Sequence, residues 1–261
     1  MKPIKTTLII AAAMASLTST MTTAQANTKN FRTGVYAGAE MGWLHEEHKY
    51  REEATVLPPF NSATIVSSTH KGSDSFLPGI FLGYRHSLEG FLDCHFIGFE
   101  LNAQINSAKT NAKFSHDDIQ SDEEELVFLA TVNTKHHLRG NNNIKPSLVF
   151  GRHFNDKYGI YGKAGYDFGQ YKYRLTESTE SIDGITVNSK KSHKDFNRWF
   201  VGIGGEYAIN CLWSARVEYQ YTFNTNKKYV KMTANETSSD NYNTRLKISS
   251  SALKFGIFAK F

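Results

Sequence analysis

After its first residues the chain has no apolar run approaching the roughly 20 residues that a membrane-crossing helix needs, and its mean hydropathy is −0.44. It has little charge bias either. Thirty Lys and Arg face 25 Asp and Glu, a formal +5 over 261 residues. So mild an excess does not point to a nucleic-acid binder, which carries a strong basic footprint. Cysteine is scarce, with Cys94 and Cys211 alone. Two readings survive these absences: a soluble exported β protein, or a membrane β-barrel. A barrel escapes hydropathy averages because only alternate residues face lipid.

What is present begins with a leader. "MKPIK" supplies positive charge, "TLIIAAAMASL" a short apolar core, and "AQA" small residues at the cleavage positions. This layout predicts a secretory signal peptide over residues 1–26, cut between Ala26 and Asn27. Removing it takes Lys2 and Lys5 and leaves a milder basic excess.

Alternation favours the barrel. "GVYAGAEMGWL" sets Val35, Ala37, Ala39, Met41 and Trp43 on one face against Tyr36, Gly38, Glu40 and Gly42 on the other. "GIFLGYRH", "FIGFELNAQIN", "IKPSLVFGRHF", "YGIYGKAGYDFGQY", "RWFVGIGGEY" and "SARVEYQYTF" repeat the pattern, and "SALKFGIFAKF" closes it. Each run is about the 9–11 residues of a tilted membrane strand. In each, one face is apolar and the other polar or glycine-rich, an inversion of soluble packing.

The expected fold is therefore all-β: an eight-stranded antiparallel up-and-down transmembrane β-barrel over residues 27–261. Long polar connections are expected over roughly residues 45–74, 107–143, 175–195 and 224–244, and short turns at "HSLEGFLDCH", "NDK" and "INCL". Such barrels pair short periplasmic turns with longer extracellular loops. "ELVFLATVNTKHHL" (residues 125–138) also reads as a strand. Counting it as membrane-spanning would make nine, so it is placed above the membrane as an extracellular ribbon.

With "GVYAGAEMGW", "LGYR", "IGFEL", "GIYGKAGY", "GGEYAI", "WSARVEYQYTF" and the terminal Phe261 in hand, the sequence resembles the eight-stranded outer-membrane β-barrel family. That family comprises the OmpA-type membrane domain and its short relatives, here without a peptidoglycan-binding domain. The resemblance implies the outer membrane of a Gram-negative-type bacterium, with outer-membrane lipid, lipopolysaccharide and the barrel-assembly machinery as partners. It also implies that Phe261 is the C-terminal insertion signal. The family includes structural proteins, adhesins, small pores and a few enzymes, so function stays open.

The parity that faces inward holds Glu40, Arg85, Glu100, Lys163, Asp167, Glu206, Arg216, Glu218 and Lys254. An eight-stranded barrel is just wide enough for its own side chains, and buried charges must pair. A salt-bridged plug is the leading expectation, with a narrow ion path as the alternative. Outward aromatics at Trp43, Tyr84, Tyr207, Trp213, Tyr219, Phe223 and Phe261 suit interfacial girdles.

No catalytic, metal or cofactor site is expected. "GIGGE" has no following helix to receive a phosphate, and "HEEH" (His45 to His48) lacks the H-E-x-x-H spacing. His86 and Ser87 are neighbours whose side chains diverge, so they make no hydrolase pair. Cys94 and Cys211 fall in turns on the same side, where one disulfide is an open alternative to two free thiols. The leading functional expectation is a structural or surface-interaction protein, including adhesion to a host or matrix ligand. A porin-like channel comes second and a lipid-modifying enzyme third.

Overall fold

The computed structural model describes residues 33–55, 64–88, 94–122, 125–154, 157–181, 184–233 and 241–261. The leader expected over residues 1–26 lies outside them. The strands are β1 (Gly34–Thr55), β2 (Thr64–Phe76), β3 (Gly79–Ser87), β4 (His95–Ile105), β5 (Lys109–Asp122), β6 (Glu125–Phe154), β7 (Tyr158–Ser181), β8 (Gly184–Ala208), β9 (Trp213–Thr233) and β10 (Asn241–Lys260). Every pairing is antiparallel, and the ring runs β1–β3–β4–β6–β7–β8–β9–β10 and back to β1. β2 continues β3 upward and pairs with β1, while β5 continues β4 and pairs with β6. The result is an eight-membered closed barrel of long strands, two of them broken once.

Both breaks keep their backbone groups satisfied, as a buried joint requires. At Leu77–Pro78, Leu77 exchanges hydrogen bonds with Gly42 (3.0 and 2.8 Å), and Pro78 accepts from Ile105 (2.9 Å). At residues 106–108, Asn106 donates to Asn141 (2.7 Å) and Ala108 accepts from Gly140 (2.8 Å). Pro146 lies within β6, where the ladder to β7 skips Lys145 and Pro146 without losing register. That is how a proline, lacking its donor, is tolerated in a paired strand.

Near the rim that carries Gly34 and Phe261, the alternation sorts side chains as expected. Met41, Trp43, Leu82, Phe99, Leu148, Trp199, Ile203 and Phe255 point outward and are exposed, Trp199 at 67%. Their polar and glycine neighbours point in. Further along the same strands the sorting inverts. Tyr50, Phe114, Leu138, Tyr173, Leu175, Phe196, Leu246 and Ile248 now pack together inside. Lys49, Arg51, Lys113, Arg139, Lys172, Arg174, Arg245 and Lys247 face out. The lower barrel is built for lipid outside and the upper barrel for water.

This inversion corrects the long connections expected from sequence. Most of residues 45–74, 107–143, 175–195 and 224–244 is paired strand. They read as loops because their outward face is polar, while the inward apolar face is spaced among charges. Residues 125–138 form the first part of β6, which runs unbroken to Phe154. The ribbon is the same strand that crosses the membrane, extended beyond it.

Among the described residues Cys94 and Cys211 are both free. Cys94 sits in the β3–β4 turn and Cys211 in the β8–β9 turn, on opposite sides of the ring. A bridge needs Cα atoms within about 7 Å, which the barrel's width prevents.

Gly83 and Gly204 are required by close approach. A Cβ on Gly83 would fall within the Tyr36 ring, and one on Gly204 within the Tyr161 ring. Tyr36 is the cross-strand partner of Gly83 in the β1–β3 pair, and Tyr161 that of Gly204 in the β7–β8 pair. Each ring lies across a bare backbone, which shields the glycine and aims its hydroxyl into the lumen. Replacing Gly83 with Val is expected to destabilise the barrel by about 1–3 kcal/mol through overpacking. Gly162→Val is the control, since a Cβ there meets nothing closer than 4.0 Å. The temperature at which the folded band converts to the unfolded band on a denaturing gel reads both, and should fall for Gly83→Val alone.

Candidate functional site

The inward charges of the lower barrel form a closed alternating ring. Arg216 bonds Glu100 through Nη1 and Glu40 through Nη2, both at 2.6 Å. Lys163 Nζ lies 2.7 Å from Glu100 and 2.8 Å from Glu218. Lys254 Nζ lies 3.0 Å from Glu218 and 3.7 Å from Glu40, completing the circuit. Every member is buried, and each ion has two partners of opposite sign. The remaining lone pairs are used as well. Tyr36 donates to Glu100 (2.9 Å), Tyr161 to Glu218 (3.1 Å), Asn102 to Glu100 (2.9 Å) and Gln104 to Glu40. Charges out of water are tolerated only when paired and hydrogen-bonded in this way.

Toward the rim of Gly34 and Phe261, Arg85 pairs with Glu206 at 2.7 Å, and His153 Nε2 meets the same carboxylate at 2.6 Å. The Arg85 guanidinium lies over the rings of Tyr36 and Phe96, at 4.5 and 4.6 Å. That of Arg216 lies 3.4 Å from the Phe81 centroid. Aromatic faces thus stabilise cations at the floor of the lumen.

Above the ring, Arg198 Nη2 bonds Asp167 and the Tyr171 hydroxyl, both at 2.9 Å. Tyr171 donates to Glu46 at 2.7 Å, and Asn106 donates to the same carboxylate at 2.9 Å. Lys145 stands 3.9 Å from Asp167. Higher still, His136 bonds Glu52 through Nε2 and meets the Tyr173 hydroxyl through Nδ1 at 2.6 Å. The apolar cluster around Tyr50, Phe114, Leu138 and Leu175 surrounds that group.

Each inward charge singled out in the sequence, Glu40, Arg85, Glu100, Lys163, Asp167, Glu206, Arg216, Glu218 and Lys254, is buried in the lumen. Sequence reasoning missed Glu46, Glu52, His136, Lys145, His153 and Arg198. Arg198 and His153 share the inward parity of their own strands, so the signal was there at the strand ends. Glu46, Glu52 and His136 lay in segments read as loops. His45 and His48 of "HEEH" face opposite sides of β1, with His45 on Asp74 at 2.8 Å outside and His48 buried. Among the described residues no three His, Cys, Asp or Glu gather as a metal site. His86 is exposed and Ser87 buried, on opposite faces of β3.

Fold and lumen together define a closed membrane β-barrel filled by its own side chains. Among solved structures, outer membrane protease OmpT from Escherichia coli is 13% identical, covering 90% of this chain and 100% of its own at a TM-score of 0.44. Outer membrane protein OprG from Pseudomonas aeruginosa is 14% identical, covering 88% and 97% at 0.43. Neisserial surface protein A is 13% identical, covering 84% and 97% at 0.32. Likenesses at this level carry nothing about activity. No curated protein sequence matches the chain. Residues 10–257 match the family described as outer membrane protein beta-barrel domain. The chain belongs to that family, a family of the bacterial outer membrane.

Glu100 accepts from both Arg216 and Lys163, so its removal strips each cation of one carboxylate. Glu100→Ala is expected to cost about 3–5 kcal/mol, the usual penalty for breaking a buried pair. Glu100→Leu combined with Lys163→Leu should recover part of that loss. Urea unfolding of vesicle-embedded protein measures both, and additive losses would show that the pair is not coupled.

Proposed function

We propose that the protein is a sealed, non-enzymatic barrel that stabilises the envelope and interacts with its surroundings through the outer surface above the membrane. The observation that carries this reading is the filled lumen. The charged ring has an aromatic floor below, formed by Tyr36, Phe81 and Phe258. The apolar cluster around Tyr50 and Leu246 lies above it. An ion crossing the barrel would have to part the salt-bridged ring and then pass the apolar cluster, both costly.

The end with Gly34, Phe261 and the short turns is taken as periplasmic, following the general rule for such barrels. The long upper strands then stand outside the cell as a stiff cylinder, and the outward apolar band sits in lipid and lipopolysaccharide. A rigid paired wall presents side chains at fixed spacing, which suits recognition better than loose loops do. The channel reading draws support only from the presence of charge in the lumen, and here that charge is consumed internally.

Planar-bilayer recording of the purified protein tests the proposal. A silent membrane is expected at protein levels where reproducible insertion is seen by other means. Discrete, repeatable conductance steps would sink the sealed-barrel reading.

A further inference from the structure

The upper wall carries an order that no stretch of sequence displays. Across β5, β6, β7 and β8, the register aligns Lys109 with Arg139, Arg139 with Lys172, and Lys172 with His193. The next outward row aligns Asn111, His137, Arg174 and Lys191. Lys109, Arg139, Lys172, Arg174, Lys191 and His193 are all exposed on the outer face. Like charges directly opposite one another in a sheet repel and destabilise the pairing. Among the described residues, no salt bridge is formed by Lys109, Arg139, Lys172 or Arg174. The field is felt locally: burial first, then the positive charges of Arg174, Lys109 and Arg139, hold the His137 imidazole below its ordinary pKa.

Height distinguishes what this face could meet. Lys172 follows the outward Phe168 by four residues, about 13 Å along the strand and about 10 Å along the barrel axis at a tilt near 40°. Arg174 and Lys191 stand higher. A headgroup layer is only about 5–8 Å thick on each side of the hydrocarbon. The rows therefore lie beyond ordinary lipid phosphates and open to the outside. Neighbouring strands are about 4.8 Å apart and successive outward residues about 7 Å. Such a grid matches an anion repeated along a chain better than a single phosphate.

We propose that the β5–β8 face is a binding surface for an extended polyanionic glycan bearing sulfate or phosphate groups, approaching from outside the cell. The proposal rests on the surface-interaction reading and names its partner class. Conductance tests that reading separately, so the two can fail independently. Anions laid along the rows would relieve the cation–cation repulsion that the bare sheet carries, and displaced counterions would add to the affinity.

The test uses dextran sulfate as the probe, uncharged dextran as the control, and the full chain in phosphatidylcholine vesicles. The combined variant Arg139→Gln, Lys172→Gln, Arg174→Gln should bind dextran sulfate at least about tenfold more weakly near physiological salt. The matched variant Lys49→Gln, Arg51→Gln, Lys247→Gln removes the same charge from the β10–β1–β2 side, where the row of Lys247, Lys49 and His70 spans three strands rather than four, and the shorter row should lose less than about threefold. Equal losses, or none, overturn the proposal by reducing the face to diffuse charge.

In wild-type protein, dextran sulfate should raise the pKa of His137, followed by NMR, because it neutralises the surrounding cations. An unmoved titration overturns the proposal even if the triple variant fails to fold. Vesicles doped with lipopolysaccharide should leave the affinity for dextran sulfate nearly intact. Its abolition would assign the face to the cell's own glycolipid and overturn the external occupant.

Discussion

The alternating circuit of Glu40, Arg216, Glu100, Lys163, Glu218 and Lys254 is the constraint on which the rest of the structure depends. A carboxylate or ammonium alone in so narrow a lumen would be prohibitively costly, and a single pair would scarcely offset its own desolvation. A closed circuit gives every ion two neighbours of opposite sign with no exposed end. Its members come from β1, β4, β7, β9 and β10, with 176 residues separating Glu40 from Arg216. The circuit can form only when the first and last strands meet. Slipping β10 by one residue against β1 would turn Lys254 toward lipid and leave Glu40 and Glu218 short of a cation.

The glycines and aromatics follow from that centre. Long polar side chains converge on one level, so the lumen must have room below it. Gly83 and Gly204 provide it by letting Tyr36 and Tyr161 lie flat across the wall. The same rings then deliver hydroxyls to Glu100 and Glu218. Arg85 and Arg216 rest on aromatic faces at the floor. Above, charge thins out and an apolar cluster takes over where the outside is no longer lipid. A single set of strands therefore carries two opposite amphipathic patterns, each suited to the solvent at its own height.

The membrane part was readable because its two faces differ along every strand. Val35 to Trp43 against Tyr36 to Gly42 is a pattern that only a lipid-facing strand explains. The lumen was half readable. Parity places Glu100 or Lys163 inward, but nothing in the local sequence says that Arg216 will meet both Glu40 and Glu100. The upper wall was not readable. Lys49 and Arg51 flanking Tyr50 look like a polar loop with a stray aromatic until pairing shows that Tyr50 is inside.

The chain by itself determined the eight-membered ring, the lipid face and the inward parity of the charges, because alternation with a period of two is written in neighbouring residues. Tertiary structure alone decided the partners inside the barrel, the separation of Cys94 from Cys211 around the ring, and the cation rows on the outer wall. Those depend on register between strands far apart in sequence. Register is set by all the pairings of the closed ring together, and no single segment contains it.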